Sequence, residues 1–341
     1  MTLALAIKDL MDGRDLSADA MRGSMREIMT GAATSAQIAG FLVALRLKGE
    51  TVVEITAAAE VMRELATPVP VAATDRATLV DTCGTGGDAG GLFNVSTACA
   101  FVVAAAGGRV AKHGNRAVSG KTGSADVLEA AGVKLELSPD AVLRCIREVG
   151  VGFMFAPAFH AAMKHAIGPR RELGVRTVFN LLGPLTNPAG ARNQVLGVFA
   201  AAWVEPLARV LQALGSRNVM VVHSEDGLDE ISIAAPTRYA ELRDGQIRTG
   251  VLQPAALGIR VSTLDGLQAA NATDSLALIR KALGGTAGPA MEIVAANAGA
   301  AIYVAGLAPD LPSAVALARG CMESGKALQK LSDLAALTQR L

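Results

Sequence analysis

The amino-acid sequence predicts an α/β protein: a small N-terminal all-helical domain, then a larger α/β domain with a mostly parallel central sheet and helices on both faces. Three observations carry that expectation. The first 66 residues show helical punctuation and no strand. From Thr78 onward short apolar runs alternate with helical patterns, as they do where strand–helix–strand units build a parallel sheet. The length, 341 residues with 51% hydrophobic side chains, is enough to bury a core in two domains, expected at 1–68 and 75–341.

In the first part, Met21, Met25, Ile28 and Met29 fall on one helical face and Ile38, Phe41, Leu42 and Leu45 on the next, with Gly49 placed to stop that helix. Thr51 and Glu54 form a capping box that opens a further helix, whose Ile55, Met62 and Leu65 face inward until Pro68 ends it. At helical spacing the methionine stripe reads as core or as a subunit interface. Because the stripes, Met25 and Met29 included, exceed what so small a piece buries alone, part of them is expected beneath a second subunit.

The expected strands are Leu79-Val80, Val110-Ala111, Val133 to Leu137, Gly152 to Phe155, Val195 to Phe199 and Val219 to Val222. Ser138-Pro139 opens a helix carrying Val142, Leu143 and Ile146, since proline suits the first helical position. Asp244-Gly245, between RYAEL and QIRTG, marks a hairpin and so an antiparallel strand at one edge. The alanine- and leucine-rich last third is expected to be mostly helix.

A formal net charge of +1 supplies no global field for nucleic acid or a membrane surface, so any preference for anions must be local. The four cysteines, Cys83, Cys99, Cys145 and Cys321, lie far apart with no zinc spacing and read as buried thiols in a reducing compartment. Met1 to Ile7 is too short for a signal-peptide core, and the longest apolar stretch, Ala98 to Ala106, is half a membrane span. A cytoplasmic location is expected, with no membrane and no nucleic-acid partner.

The segment DTCGTGGDAGG (81–91) leaves Leu79-Val80 at the carboxyl edge of the sheet, where parallel sheets bind ligands. A dinucleotide fingerprint does not fit, because the next helix starts only near Ser96 and no acid occurs between Asp88 and Asp126. Nor does a triphosphate loop: the GKT at 120–122 has the wrong glycine spacing. Taken together, residues 89–125 hold Arg109, Lys112, His113, Arg116 and Lys121 with no carboxylate, and two helices start near Ser96-Thr97 and at Ser124. That combination reads as a local anion site, with backbone N–H groups and helix dipoles facing a phosphate.

GTGGD (84–88), NVST (94–97) and KHGNRAVSGKTGSADVLEA (112–130), followed in order by RRELGVRTVFNLLGPLTNP (170–188) and DGLDEISI (226–233), resemble the anthranilate phosphoribosyltransferase family of tryptophan biosynthesis. Gly120 stands where many relatives have a second serine, and Ala131 replaces a common leucine. The resemblance implies a sequence-interrupted helical domain, with a contribution from about 160–185, and a homodimer formed through it. It implies transfer of the 5-phosphoribosyl group from phosphoribosyl pyrophosphate to the amine of anthranilate.

By the same resemblance Gly84, Gly87, Asp88, Leu92, Asn94, Val95, Ser96, Thr97, Lys112, His113, Gly114, Asn115, Arg116, Ser119, Gly120 and Ser124 contact the phosphoribosyl donor, and Gly84, Asn115 and Arg170 the anthranilate. Mg²⁺, which takes oxygen ligands and bridges phosphates, is the implied cofactor, with Ser96, Asp229 and Glu230 as its ligands. His113 is a candidate for polarising or receiving a proton, or equally a hydrogen-bonding strut. His160 and His165, five residues apart, lack the usual metal spacing. A pyrimidine nucleoside phosphorylase is the rival enzyme, opposed by GSADVLEA and the Asp229-Glu230 pair. A nucleic-acid-binding relative is the rival from another class, opposed by the near-neutral charge and 3% aromatic content.

Overall fold

The structure, a computed structural model, describes residues 2–86, 91–117, 122–260 and 262–341. Four helices come first: α1 (Leu3–Met11), α2 (Ala18–Met29), α3 (Ser35–Lys48) and α4 (Val52–Leu65). Their starts are chemically specified. Ser17 accepts from the Ala20 N–H, and Thr34/Gln37 and Thr51/Glu54 close capping boxes on α3 and α4. Glu54 is fully buried, and its carboxylate also takes the Leu16 N–H and the Lys48 ammonium, so the box doubles as an anchor for the α1–α2 connection.

Next come α5 (Ala73–Arg76), β1 (Leu79–Asp81), α6 (Val95–Ala105), β2 (Arg109–Gly114), α7 (Ser124–Ala130), α8 (Pro139–Glu148), β3 (Val151–Phe155) and α9 (Ala156–Phe159). The chain continues through α10 (Lys164–Leu173), α11 (Val178–Leu182), β4 (Asn193–Gly197), α12 (Val204–Ala213), β5 (Asn218–Ser224), β6 (Thr237–Arg243) and β7 (Gln246–Leu252). It ends in α13 (Ala272–Leu283), α14 (Pro289–Val304), α15 (Leu311–Glu323) and α16 (Lys326–Thr338). The seven strands form one sheet in the order β3-β2-β1-β4-β5-β6-β7. Strands β1 to β5 are parallel, and β6 and β7 are antiparallel additions at one edge. Asp244 and Gly245 turn β6 into β7 with φ of 52° and 74°, the left-handed pair that the twist of a tight hairpin requires.

One expected strand is not formed. Residues 133–137 carry no regular structure and pair with no described strand. Their alternation is satisfied by packing alone: Val133, Leu135 and Leu137 are buried while Lys134 and Glu136 are exposed. The Lys134 N–H is bonded to the Thr338 hydroxyl of α16 instead of to a strand.

Successive strand residues serve opposite faces. Met220 and Val222 of β5 join a core with α6, α14, α15 and α16, whereas Val219 and Val221 join a second core with α12 and helices α1 to α4. Met21, Met25 and Met29 belong to this second core, at 0%, 0% and 3% exposure. The expectation that Met25 and Met29 need a second subunit to cover them is therefore not met: α4 and α10 pack against α2 within the same chain. Helices α10 and α11 lie against the N-terminal bundle, giving it Ala166, Val178, Phe179 and Leu182. Among the described residues, no helix is long and apolar enough to cross a membrane.

Candidate functional site

From β1 the chain proceeds outward to β2 and β3, then returns to place β4 on the other side of β1. At such a switch point the loops leaving two adjacent strands diverge, and a crevice opens beyond their carboxyl ends. The glycine loop leaves β1 there. The Thr85 N–H donates to the Gly197 carbonyl at the end of β4 (2.9 Å), and the Gly86 N–H donates to Asp229 Oδ2 (3.0 Å). A side chain at Gly197 would overlap the Asp229 carbonyl, so glycine is what lets the loop after β5 close on the end of β4.

The resulting cleft is lined by Thr82, Gly84, Ser96, Cys99, Val195, Gly197, Asp229, Glu230 and Asn297. Ser96, Asp229 and Glu230, from the first turn of α6 and the loop after β5, thus share one cleft. Asn297 of α14 fixes the acidic loop. Its Oδ1 accepts from the Ile231 N–H and its Nδ2 donates to the Ile231 carbonyl, next to Glu230. Nothing local in the sequence signals this, because Asn297 sits within an alanine-rich helix 66 residues further on.

Lys112 is buried between β1 and α6. Its ammonium donates to the Thr82 carbonyl (2.8 Å) and the Ser96 hydroxyl (3.2 Å), while the Thr82 hydroxyl donates to the Ser96 carbonyl. Neighbouring Asp81 is fully buried, which pushes its carboxyl up to about 6 despite the amide of Asn187 at 2.7 Å. That same amide donates to the Ala111 carbonyl, tying the PLTNP segment to β1 and β2 at once.

The second loop folds back at Gly114, where a side chain would overlap the Ser124 hydroxyl. The Asn115 carbonyl accepts from the Ala125 N–H, and Asp126 Oδ2 accepts from Ala117 and Gly123. Asn94 spans the two loops, its Nδ2 donating to the Thr122 carbonyl (3.3 Å). Leu92 bridges to Gln268, Val95 is buried, and Thr97 has a buried hydroxyl with no hydrogen bond among the described residues. Gly87, Asp88, Ser119, Gly120 and Lys121 lie outside the described residues.

Two of the cations read as part of a free basic cluster are otherwise engaged. Arg116 pairs with Glu129 (2.7 Å) and Asp126 (3.2 Å) on α7, and Arg109 starts β2, at the end away from the crevice, within 3.5 Å of Asp75. Local sequence could not show this, since both partners of Arg116 follow the carboxylate-free interval.

His113 faces away from Lys112, toward His160, with ring centroids 4.9 Å apart. Burial, and secondly the neighbouring His160, bring the His113 imidazole down to about 3, and burial brings His160 to about 4. The Gly183 backbone lies near His113, yet among the described residues neither ring nitrogen makes a well-formed hydrogen bond. A ring so reluctant to take a proton is a poor base at neutral pH, which argues against the proton-receiving role and leaves a neutral wall. The segment carrying His160 leads into α10, where Arg170 is half-buried. Its guanidinium sits 5.1 Å from the Phe179 ring centre, is lowered from its usual value by burial, and among the described residues has no carboxylate within ion-pair distance. No described contact links it to the glycine loop.

Residues 76–328 match the glycosyl transferase family a/b domain and residues 5–66 its helical bundle domain, which sets the class. The anthranilate phosphoribosyltransferases of Thioalkalivibrio sulfidiphilus and Halorhodospira halophila are each 61% identical to the chain, over 99% and 100% of it and 99% of each relative. The crystal structure of the Thermus thermophilus enzyme superposes with a TM-score of 0.91 at 45% identity, covering 98% of this chain and 99% of that one. That of Saccharomyces cerevisiae in complex with PRPP and Mg shares the fold, with a TM-score of 0.88 at 24% identity over 99% of this chain and 98% of that one. The chain belongs to the anthranilate phosphoribosyltransferase family.

The buried histidines make stability depend on pH. Both values are depressed below the unfolded value of about 6.5, so the unfolded chain binds protons first as pH falls. Stability is full above about pH 6.5 and is lost toward about pH 4, by up to about 1.4 kcal/mol per unit for each ring. Asp81, with its value raised, gains stability on protonation over about the same window and offsets part of this. The His113→Gln/His160→Gln double variant should therefore close its stability gap to wild type between about pH 7 and about pH 5 in urea unfolding. A gap independent of pH would show that the rings titrate alike in both states.

Proposed function

We infer that this chain transfers the 5-phosphoribosyl group of phosphoribosyl pyrophosphate to the amine of anthranilate, releasing pyrophosphate, as its relatives' names describe. The observation that carries this reading is the switch-point cleft, where the glycine loop, the first turn of α6, Lys112 and the Asp229-Glu230 pair converge. A second cation, Arg170, lies apart on the helical side. One region suits a polyanion and the other a single carboxylate.

We assign the donor to Gly84, Gly87, Asp88, Leu92, Asn94, Val95, Ser96, Thr97, Lys112, Gly114, Asn115, Arg116, Ser119, Gly120 and Ser124. Backbone amides of the two loops bind the phosphates where side chains would obstruct them. Lys112 has already committed bonds to Thr82 and Ser96, so its charge acts from a fixed position beneath the sugar-phosphate. Arg116 contributes mainly through backbone, its guanidinium being held by α7. The donor atoms of Ser96, Asp229 and Glu230 are all oxygens, which fits Mg²⁺. Bound there, the ion would neutralise charge on the departing pyrophosphate.

Arg170 would hold the anthranilate carboxylate by paired hydrogen bonds, with Asn115 and Gly84 at the amine end. The aromatic amine is already neutral and needs little base, in keeping with the neutral His113 and His160. We also propose the division at 1–68 and 75–341 with 160–185 added to the helical unit, a cytoplasmic location in keeping with four free thiols, and a homodimer. The dimer reading rests on Leu5, Val43 and Leu47 of the contacting helices α1 and α3, where Leu47 is 82% exposed.

Three outcomes test these assignments. Arg170→Ala should raise KM for anthranilate much more than KM for the donor, with about 1.5–3 kcal/mol of charge-assisted bonding at stake, and Lys112→Ala should do the reverse. Equal effects on both substrates would overturn the division of the pocket. Asp229→Asn with Glu230→Gln removes charge while an amide oxygen can still accept from Gly86. It should lower kcat/KM at least about a hundredfold with circular dichroism unchanged, and wild-type loss of anthranilate fluorescence would remove the metal assignment. Leu47→Glu should convert a dimer into a monomer by light scattering, and a monomeric wild-type protein would end the dimer reading.

A further inference from the structure

Asn94 is held from 181 residues away. Ser275, on the first turns of α13 and fully buried, accepts the Asn94 backbone N–H at 3.0 Å, and its hydroxyl donates to Asn94 Oδ1 at 2.7 Å. The two bonds are not interchangeable. The Thr122 carbonyl can only accept, so the carboxamide edge facing it is Nδ2 and the edge facing Ser275 is the carbonyl oxygen, to which the Ser275 hydroxyl donates while accepting the backbone N–H.

The geometry points to Ser275 as a positioning residue for the phosphoribosyl donor: it turns the Asn94 carboxamide so that N–H groups, and not the carbonyl, are offered to the anion. A carboxamide presents a donor edge and an acceptor edge of nearly the same shape, and only the donor edge suits a phosphate oxygen. With Ser275 occupying the acceptor, one N–H of Nδ2 goes to Thr122, joining the second loop to the first, and the other is the group that meets the ligand. The last helical layer thereby sets the polarity of a side chain at the mouth of α6. This rests on the reading of Asn94 as a donor contact, and the residue itself touches no substrate.

Calorimetric titration of the full-length protein with phosphoribosyl pyrophosphate in Mg²⁺ buffer, alongside steady-state kinetics, tests the assignment. Ser275→Ala should weaken donor binding about tenfold, while kcat at saturating donor and KM for anthranilate stay within about twofold. Ser275→Thr, which keeps the hydroxyl, should recover most of the donor affinity. In the Asn94→Ala background, which keeps the backbone N–H bond to Ser275, the Ser275→Ala change should add less than about twofold, because the proposed effect on the donor runs through the carboxamide and not through that backbone bond. Unchanged donor affinity in Ser275→Ala, or a penalty that persists undiminished without Asn94, would overturn the proposal. The wild-type protein decides the underlying reading separately, by whether it binds the donor and consumes anthranilate.

Discussion

The chain's change of direction at β1 is the constraint from which the rest of the site follows. Two strands are laid down on one side of β1 and four on the other, so the loops after β1 and β4 part company over a gap that no strand can fill. The closing of that gap calls for a contact that only glycine permits, Gly197 against the Asp229 carbonyl. The first turn of α6 then faces the opening, and Asp229 and Glu230 arrive from the loop after β5. Had β4 been added beyond β3, the same motifs would sit at unrelated places along one edge.

The electrostatics of the cleft differ from a cluster of loose bases. Lys112 is buried and held by two neutral oxygens, a carbonyl and a hydroxyl, while Arg116 and Arg109 are partnered by carboxylates. Burial leaves the field of Lys112 poorly screened, and the buried Asp81 carboxyl nearby offsets part of it. The acidic pair occupies the same cleft, so attraction for a polyanion and attraction for a divalent cation are built side by side. A polyanion carrying a divalent cation would be complementary to such a cleft as a unit.

Features set by neighbours in sequence were legible. The capping box at Thr51, the Asp244-Gly245 turn, the helix at Ser138-Pro139 and the glycine loop at a strand end each need only a few adjacent residues. What depended on distant partners was not. Residues 133–137 alternate as a strand does, but pairing needs a neighbour, and the α16 hydroxyl took that place. The partners of Arg116 are 10 and 13 residues on, and Asn297 and Ser275 act over 66 and 181 residues from within ordinary helices. The blocks resembling the family carried Asp229, Glu230 and Arg170 to attention, where residue type alone would have left them as surface charges.

The helical bundle and one face of the sheet share a single apolar core. Met25 and Ile55 belong to the same cluster as Val219 and Val221, with α12 between them, and half-buried Arg63 of α4 donates to the Leu185 and Leu214 carbonyls beyond α11 and α12. The sheet's other face belongs to a separate cluster with α6 and α14. The two cores meet in the plane of the sheet, because alternate residues of β5 belong to one and to the other, so the linker after α4 does not separate them. A bundle excised at that linker would leave bare the faces of α10, α11 and α12 that cover it within this chain.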